Sequence, residues 1–194
     1  MKIKFFLSIF LILSYQSLVI ADDIKDFEIE GASVFDRINE HISEKKFLER
    51  KNYEYNYKHT FSVIGIRDSN YDKYEKIRFT YKNDDPNKVI YGIDGVINFD
   101  NKIDECLELQ KIIARDIKSG LKEFESNNDT FNHWADKSNN SKVHQVAFDL
   151  PSGAAIVISC FDWSENLTKK NGWVDNIKVS INTKELTEFF LSLN

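Results

Sequence analysis

Hydrophobic and polar positions alternate along this chain in two distinct rhythms, and the rhythms divide it into helices and strands. Val34, Ile38 and Ile42 recur at helical spacing, and Ser33 with Asp36 resembles a capping box, so the pattern predicts a helix from Ser33 to about Glu44, with a further turn near Lys46 and Leu48. From Tyr53 to Ile66 the period is two: Tyr53, Tyr55, Tyr57, His59, Phe61 and Val63 share one parity, which predicts a single strand. Ile77, Phe79 and Tyr81 alternate with Arg78, Thr80 and Lys82 in a second strand, closed by a turn at Asp84-Asp85-Pro86-Asn87. Between Val89 and Phe99, Asp94-Gly95 is a hairpin signal. The apolar parity runs straight through it, however, which favours one strand with Gly95 at a bulge.

A long amphipathic helix follows from Lys102 to Phe124, with Asn101 as its expected N-cap and Ile103, Cys106, Leu107, Ile113, Ile117, Leu121 and Phe124 along one stripe. The polar stretch from Glu125 to Lys142 predicts a surface loop. Val143 to Trp163 predicts a hairpin about Pro151-Ser152-Gly153, with Val146, Phe148, Leu150, Ile156, Ile158 and Cys160 inward. After a turn at Lys169-Lys170-Asn171-Gly172, the residues Trp173, Ile177, Val179 and Ile181 mark a last strand, and Asn182 with Glu185 caps a C-terminal helix. The order α-β-β-β-α-β-β-β-α predicts an α+β fold: a largely antiparallel sheet of about six strands with one long and two shorter helices.

The first residues change where that fold is expected to work. Lys2 and Lys4 precede an apolar run from Phe5 to Leu13, and Val19-Ile20-Ala21 offers small or short side chains to a signal peptidase. This predicts a secretory signal over residues 1–21, cleaved after Ala21, and a single domain over residues 22–194 in the periplasm or outside the cell. Ser14, Tyr15, Gln16 and Ser17 interrupt the apolar run, so no stable membrane anchor is expected after cleavage.

Charge narrows the partners. The chain has 26 Lys plus Arg against 31 Asp plus Glu, interleaved without blocks, and loss of Lys2 and Lys4 makes it more acidic still. Such a surface lacks the basic stripe that displaces phosphate counterions, so nucleic acid is not an expected partner. Cys106 and Cys160 both lie in the exported part and both face inward on their elements. Export favours a disulfide between them, the alternative being two buried thiols that act as small hydrophobes.

Catalytic motifs are sparse. No G-x-S-x-G, H-E-x-x-H, phosphate loop or C-x-x-C occurs, so no catalytic residue, metal ligand or cofactor is expected. His133-Trp134-Ala135-Asp136 sets a histidine beside an acid and an aromatic, a motif that in a loop is usually a solvated bystander. The candidate binding residues are Tyr53, Tyr55 and Tyr57, which lie in the core if a helix covers their face and form an amphipathic strip for a partner if it does not.

The stretch Ile24 to Ser33, reading I-K-D-F-E-I-E-G-A-S, resembles the mature start of a group of small uncharacterised exported proteins of AT-rich marine bacteria. Tyr91-Gly92-Ile93-Asp94-Gly95-Val96-Ile97 followed by Cys106 on a helix is similar as well, while Phe35 stands where a small residue such as Gly is expected. The resemblance implies a periplasmic α+β domain and carries no activity. The function expected from the sequence is a non-enzymatic periplasmic module that binds a protein or small-molecule partner. The alternative is a hydrolase-like enzyme whose acid and His residues meet only in the fold.

Overall fold

The computed structural model describes residues 23–51, 55–57 and 60–193; the expected signal peptide, Tyr53 and His59 lie outside these, and only the backbone is described for Tyr55 and Tyr57. Helices α1 (Ile38–His41) and α2 (Glu44–Lys51) precede strands β1 (Tyr55–Tyr57), β2 (Phe61–Ile66), β3 (Lys76–Lys82) and β4 (Gly92–Asn98). The long helix α3 (Ile103–Gly120) leads to β5 (Glu125–Asn132), β6 (Lys142–Asp149) and β7 (Ala155–Asp162). Helix α4 (Glu165–Asn171), strand β8 (Asn176–Asn182) and helix α5 (Lys184–Leu191) complete the chain.

All the strands join one antiparallel sheet in the order β1-β2-β3-β4-β8-β7-β6-β5. It consists of two meanders, β1 to β4 and β5 to β8, whose last strands pair in the middle. Because side chains alternate across a strand, that pairing aligns whole rows on each face. Ile77, Phe79, Ile93, Ile177, Val179, Ile181, Ile156, Ile158 and Cys160 point to one face and are buried. Helix α3 and the N-terminal segment, through Ile24, Ile29, Val34, Ile38 and Ile42, pack on that side. The other face carries Lys76, Arg78, Asp94, Lys178, Ser180 and Ser159. Helix α5 closes one end of this second face, setting Leu186 against Gly92, where there is no room for a Cβ, and Phe189 edge-on to Phe61 at 5.0 Å.

Two links fasten α3 to the sheet. The Cys106–Cys160 disulfide joins its first turn to β7 across 6.0 Å between Cα atoms. One turn on, the buried Gln110 amide donates to the carbonyls of His144 and Ile158 at 2.8 and 2.9 Å. A polar side chain in the middle of an apolar stripe is tolerated because both its donors are satisfied.

Several sequence expectations are corrected. The α+β class and the antiparallel sheet hold, but the described residues form eight strands. The expected helix from Ser33 does not begin there. Phe35 has φ +74° and its N–H bonds to the Ile90 carbonyl, while Asp36 accepts from the Ser33 N–H and closes a turn. Within the range expected as a single strand, Tyr53 to Ile66, the described residues form two strands, β1 and β2, that pair antiparallel with Tyr57 opposite Phe61. β4 is one strand, as the parity argued, yet its register is regular through Gly95. That glycine is needed because a Cβ would lie 2.5 Å from the Tyr74 ring. Asp100 and Asn101 are left-handed, Lys102 takes the N-cap of α3, and the helix stops at Gly120 rather than Phe124.

The expected loop from Glu125 is the edge strand β5. Every one of its residues is exposed, so neither face imposes an alternation, and the ladder to β6 holds it in place. Glu125 and Asp129 on it discourage pairing with other chains. The expected turn at Lys169 is the end of α4, reversed by Gly172 at φ +69°. Thr183, not Asn182, caps α5. The tips at Pro86 and at Pro151 to Gly153 fall where expected.

Two stability measurements follow from this arrangement. The disulfide closes a loop spanning 54 residues. The chain-entropy relation then gives it about 4 kcal/mol, to be read as the difference in denaturant unfolding between the oxidised protein and Cys106→Ala/Cys160→Ala. Phe35→Gly relieves a left-handed side chain at the cost of a looser unfolded state, and is expected to raise stability by up to about 1 kcal/mol in the same assay.

Candidate functional site

The pairing of β3, β4 and β8 decides what the uncovered face presents. Across it, Lys76 lies opposite Val96, and Val96 opposite Lys178; in the next row Arg78 lies opposite Asp94, and Asp94 opposite Ser180. Arg67 follows the end of β2 on the same side. These residues border a cleft of about 600 Å³. Among the described residues its lining holds Arg67, Lys76, Arg78 and Lys178 and no carboxylate; Asp94 sits behind it, 3.5 Å from the Arg78 Nε.

The opposite wall is aromatic. Trp134, Trp163 and Trp173 all line the cleft, and they are the chain's three tryptophans. The His133 ring lies 4.4 Å from Trp163, Trp163 lies 4.6 Å from Trp173, and Phe161 stacks near-parallel to Trp163 at 5.9 Å. Trp134 forms the lip, 77% exposed. Helix α4 and its Gly172 reversal bring Trp173 back onto Trp163, and the main-chain N–H of Trp163 donates to the buried Asp175 carboxylate at 2.9 Å.

One carboxylate fixes the loop that carries His133 and Trp134. Asp136 Oδ1 accepts from the N–H and hydroxyl of Ser138, and Oδ2 from the N–H and hydroxyl of Ser141. The Ser141 Oγ in turn accepts from the Ser164 N–H, just beyond β7. The hydroxyls of Ser138 and Ser141 hold Asp136 far below the usual carboxylate range.

Charge in the cleft is poorly compensated. Burial lowers the Lys178 pKa, and Arg78 lowers it further against the pull of Asp94. Burial, then Arg78 and Arg67, lower Lys76. His133 is likewise lowered, by burial first and then by Lys178, which leaves its imidazole largely neutral at neutral pH. A desolvated, mutually repelling set of cations beside flat π-faces is suited to holding an anion attached to a planar or apolar body.

The residues expected from the sequence fall in different places. Cys106 and Cys160 form the disulfide. The register sets Tyr55 and Tyr57 at the outer edge of the sheet, opposite Val63 and Phe61, and Tyr53 lies outside the described residues. His133 and Trp134, read from the sequence as bystanders, belong to the aromatic wall. The cations were visible only as the outward positions of alternating strands, and nothing local marks Lys178 as a neighbour of Lys76. A His with two carboxylates does occur elsewhere: potential ligand atoms of Asp36, Glu40 and His41 lie within 4.8 Å of one another. His41 there is stacked on Phe79 and bonded to Asp36, which also holds the Ser33 N–H, so the group braces the N-terminal turn.

Asp136→Asn is expected to unseat the aromatic wall while the sheet persists, seen as loss of near-ultraviolet circular dichroism with far-ultraviolet signal retained. A carboxylate with a depressed folded pKa stabilises above its unfolded value and stops doing so as pH falls toward the folded one. The wild-type wall should therefore loosen only as the pH drops below about 4. Compared with known proteins, the chain matches no protein family, no curated protein and no solved structure, so the reading of this cleft rests on its own residues.

Proposed function

We propose that this chain is an exported, non-enzymatic binding domain that holds an anionic organic molecule in the cleft on its uncovered sheet face. The observation that carries this reading is the cation set of Arg67, Lys76, Arg78 and Lys178 facing three tryptophans, with no carboxylate in the lining among the described residues. Export is supported by the signal-like first residues and by a disulfide of the kind that persists in oxidising compartments. Among the described residues no helix is long and apolar enough to cross a membrane. Arg78 forks onto an oxyanion, the two lysines supply point charges, and the Trp faces clamp whatever ring or chain the anion carries.

The cation cluster is expected to cost stability. A lysine whose folded pKa is depressed binds its proton more weakly folded than unfolded, so its charge opposes folding below that pKa and ceases to as pH rises through it. Function retained at the expense of stability is a common signature of a binding site.

Phenyl phosphate is a suitable probe, followed by tryptophan fluorescence, since every tryptophan in the protein reports from the cleft. The expected result is saturable quenching that weakens with salt and weakens again as pH rises into the lowered lysine range. Lys178→Met should bind about tenfold or more weakly, yet resist denaturant better than the parent. An absence of saturable change in the parent protein would remove the reading.

A further inference from the structure

The cleft does not end at its aromatic wall. A second groove of about 280 Å³ shares His133, Trp134, Phe161 and Lys178 with it, so the two run into one another. The register gives this joint surface a direction. In one row Lys76, Val96 and Lys178 lead to Ser159 and Gln145; in the next, Arg78, Asp94 and Ser180 lead to Val157 and Ala147. On the other flank Phe161 leads to Val143 and Phe131. Charge is thus gathered over β3 and β8, and beyond β8 the exposed face turns largely apolar. The run from β3 to β6 covers four strand spacings, roughly 19 Å.

A second observation marks the junction. The Ser180 hydroxyl lines the second groove, is buried with 3% exposure, and has no hydrogen-bond partner among the described residues. A buried hydroxyl left unpaired is costly, and such groups in folded proteins call for an explanation. At the outer lip, Trp134 and Phe131 are 77% and 42% exposed, an unusual amount of apolar surface to find around one groove.

We propose that the molecule bound is a single-chain amphiphile. Its phosphate-class head lies on Lys76, Arg78 and Lys178, a head or ester oxygen accepts from the Ser180 hydroxyl, and its apolar tail lies over Val157 and Phe161 toward Phe190. This rests on the anion-binding reading and extends it. A head alone leaves the second groove unfilled and the lip exposed, whereas a neutral chain leaves the lysines without a counter-charge.

The experiment compares four probes on the full chain by calorimetry, each alkyl probe below its micelle concentration: inorganic phosphate, phenyl phosphate, dodecyl phosphate and the uncharged dodecyl maltoside. Dodecyl phosphate is expected to bind about a hundredfold more tightly than inorganic phosphate, because the tail is buried as well as the head. Val157→Asn, a change on the half-open face, should cost dodecyl phosphate about tenfold and leave phenyl phosphate unchanged. Lys178→Met should weaken both. If dodecyl phosphate binds no better than inorganic phosphate, or Val157→Asn has no effect on it, the amphiphile is overturned and the anion site stands. If dodecyl maltoside binds as well as dodecyl phosphate, the charge is irrelevant and the anion reading falls. If no probe binds, both readings fall together.

Discussion

The pairing of β4 with β8 is the contact on which the rest of the molecule depends. Seven residues of each strand run alongside the other, from Gly92 opposite Asn182 to Asn98 opposite Asn176. On one side this register sets Ile93 against Ile181 within the core, and Ile97, partly buried at its margin, against Ile177. On the other it sets Val96 beside Lys178, both in the lining of the cleft, and Asp94 beside Ser180 in the adjoining row. A slip of one residue would send the lysine into the core and the isoleucines to solvent, so core and site are specified by the same set of hydrogen bonds.

That coupling explains how the molecule tolerates a cluster of desolvated cations. The apolar face is continuous across the sheet and covered by a helix tied down through the Cys106–Cys160 disulfide and the Gln110 amide. Stability drawn from one face supports repulsion on the other. Asp94 tempers the repulsion without cancelling it, because one carboxylate sits among four cations. The aromatic wall is braced by Asp136 on one loop and by Asp175 behind Trp163, and it meets the cations where Lys178 lies over the Phe161 ring.

What the sequence disclosed and what it concealed follow from the range of each interaction. Alternation in β3, β6, β7 and β8 was readable because the core-facing positions of each strand carry apolar side chains at period two, although the second face buries Thr80, Ser159 and Ser180 as well. It failed in β5, which is exposed on both faces, and it misled at β1 and β2, which pair antiparallel although their parity continues from one to the other. The expected helix at Ser33 was defeated by a single left-handed residue, Phe35, at the position where the resemblance called for a small residue. The cysteines were legible because each falls on the inward, apolar side of its element. The cleft was not, since Lys76, Trp134 and Lys178 belong to three distant segments and meet only through strand order.

The sheet order also has a consequence for how the molecule comes together. Within each half, strands pair with their neighbours in sequence, apart from the short detour through α4 before β8. Joining the halves instead brings Ile93 to Ile181 across about half the length of the domain, and long-range closure of this kind is the slow, entropically costly part of assembling a sheet. The cleft straddles that seam. In a refolding chain, secondary structure and much of each meander can therefore be in place while Lys76 and Lys178 are still apart, and the completed cleft is the last feature the domain acquires.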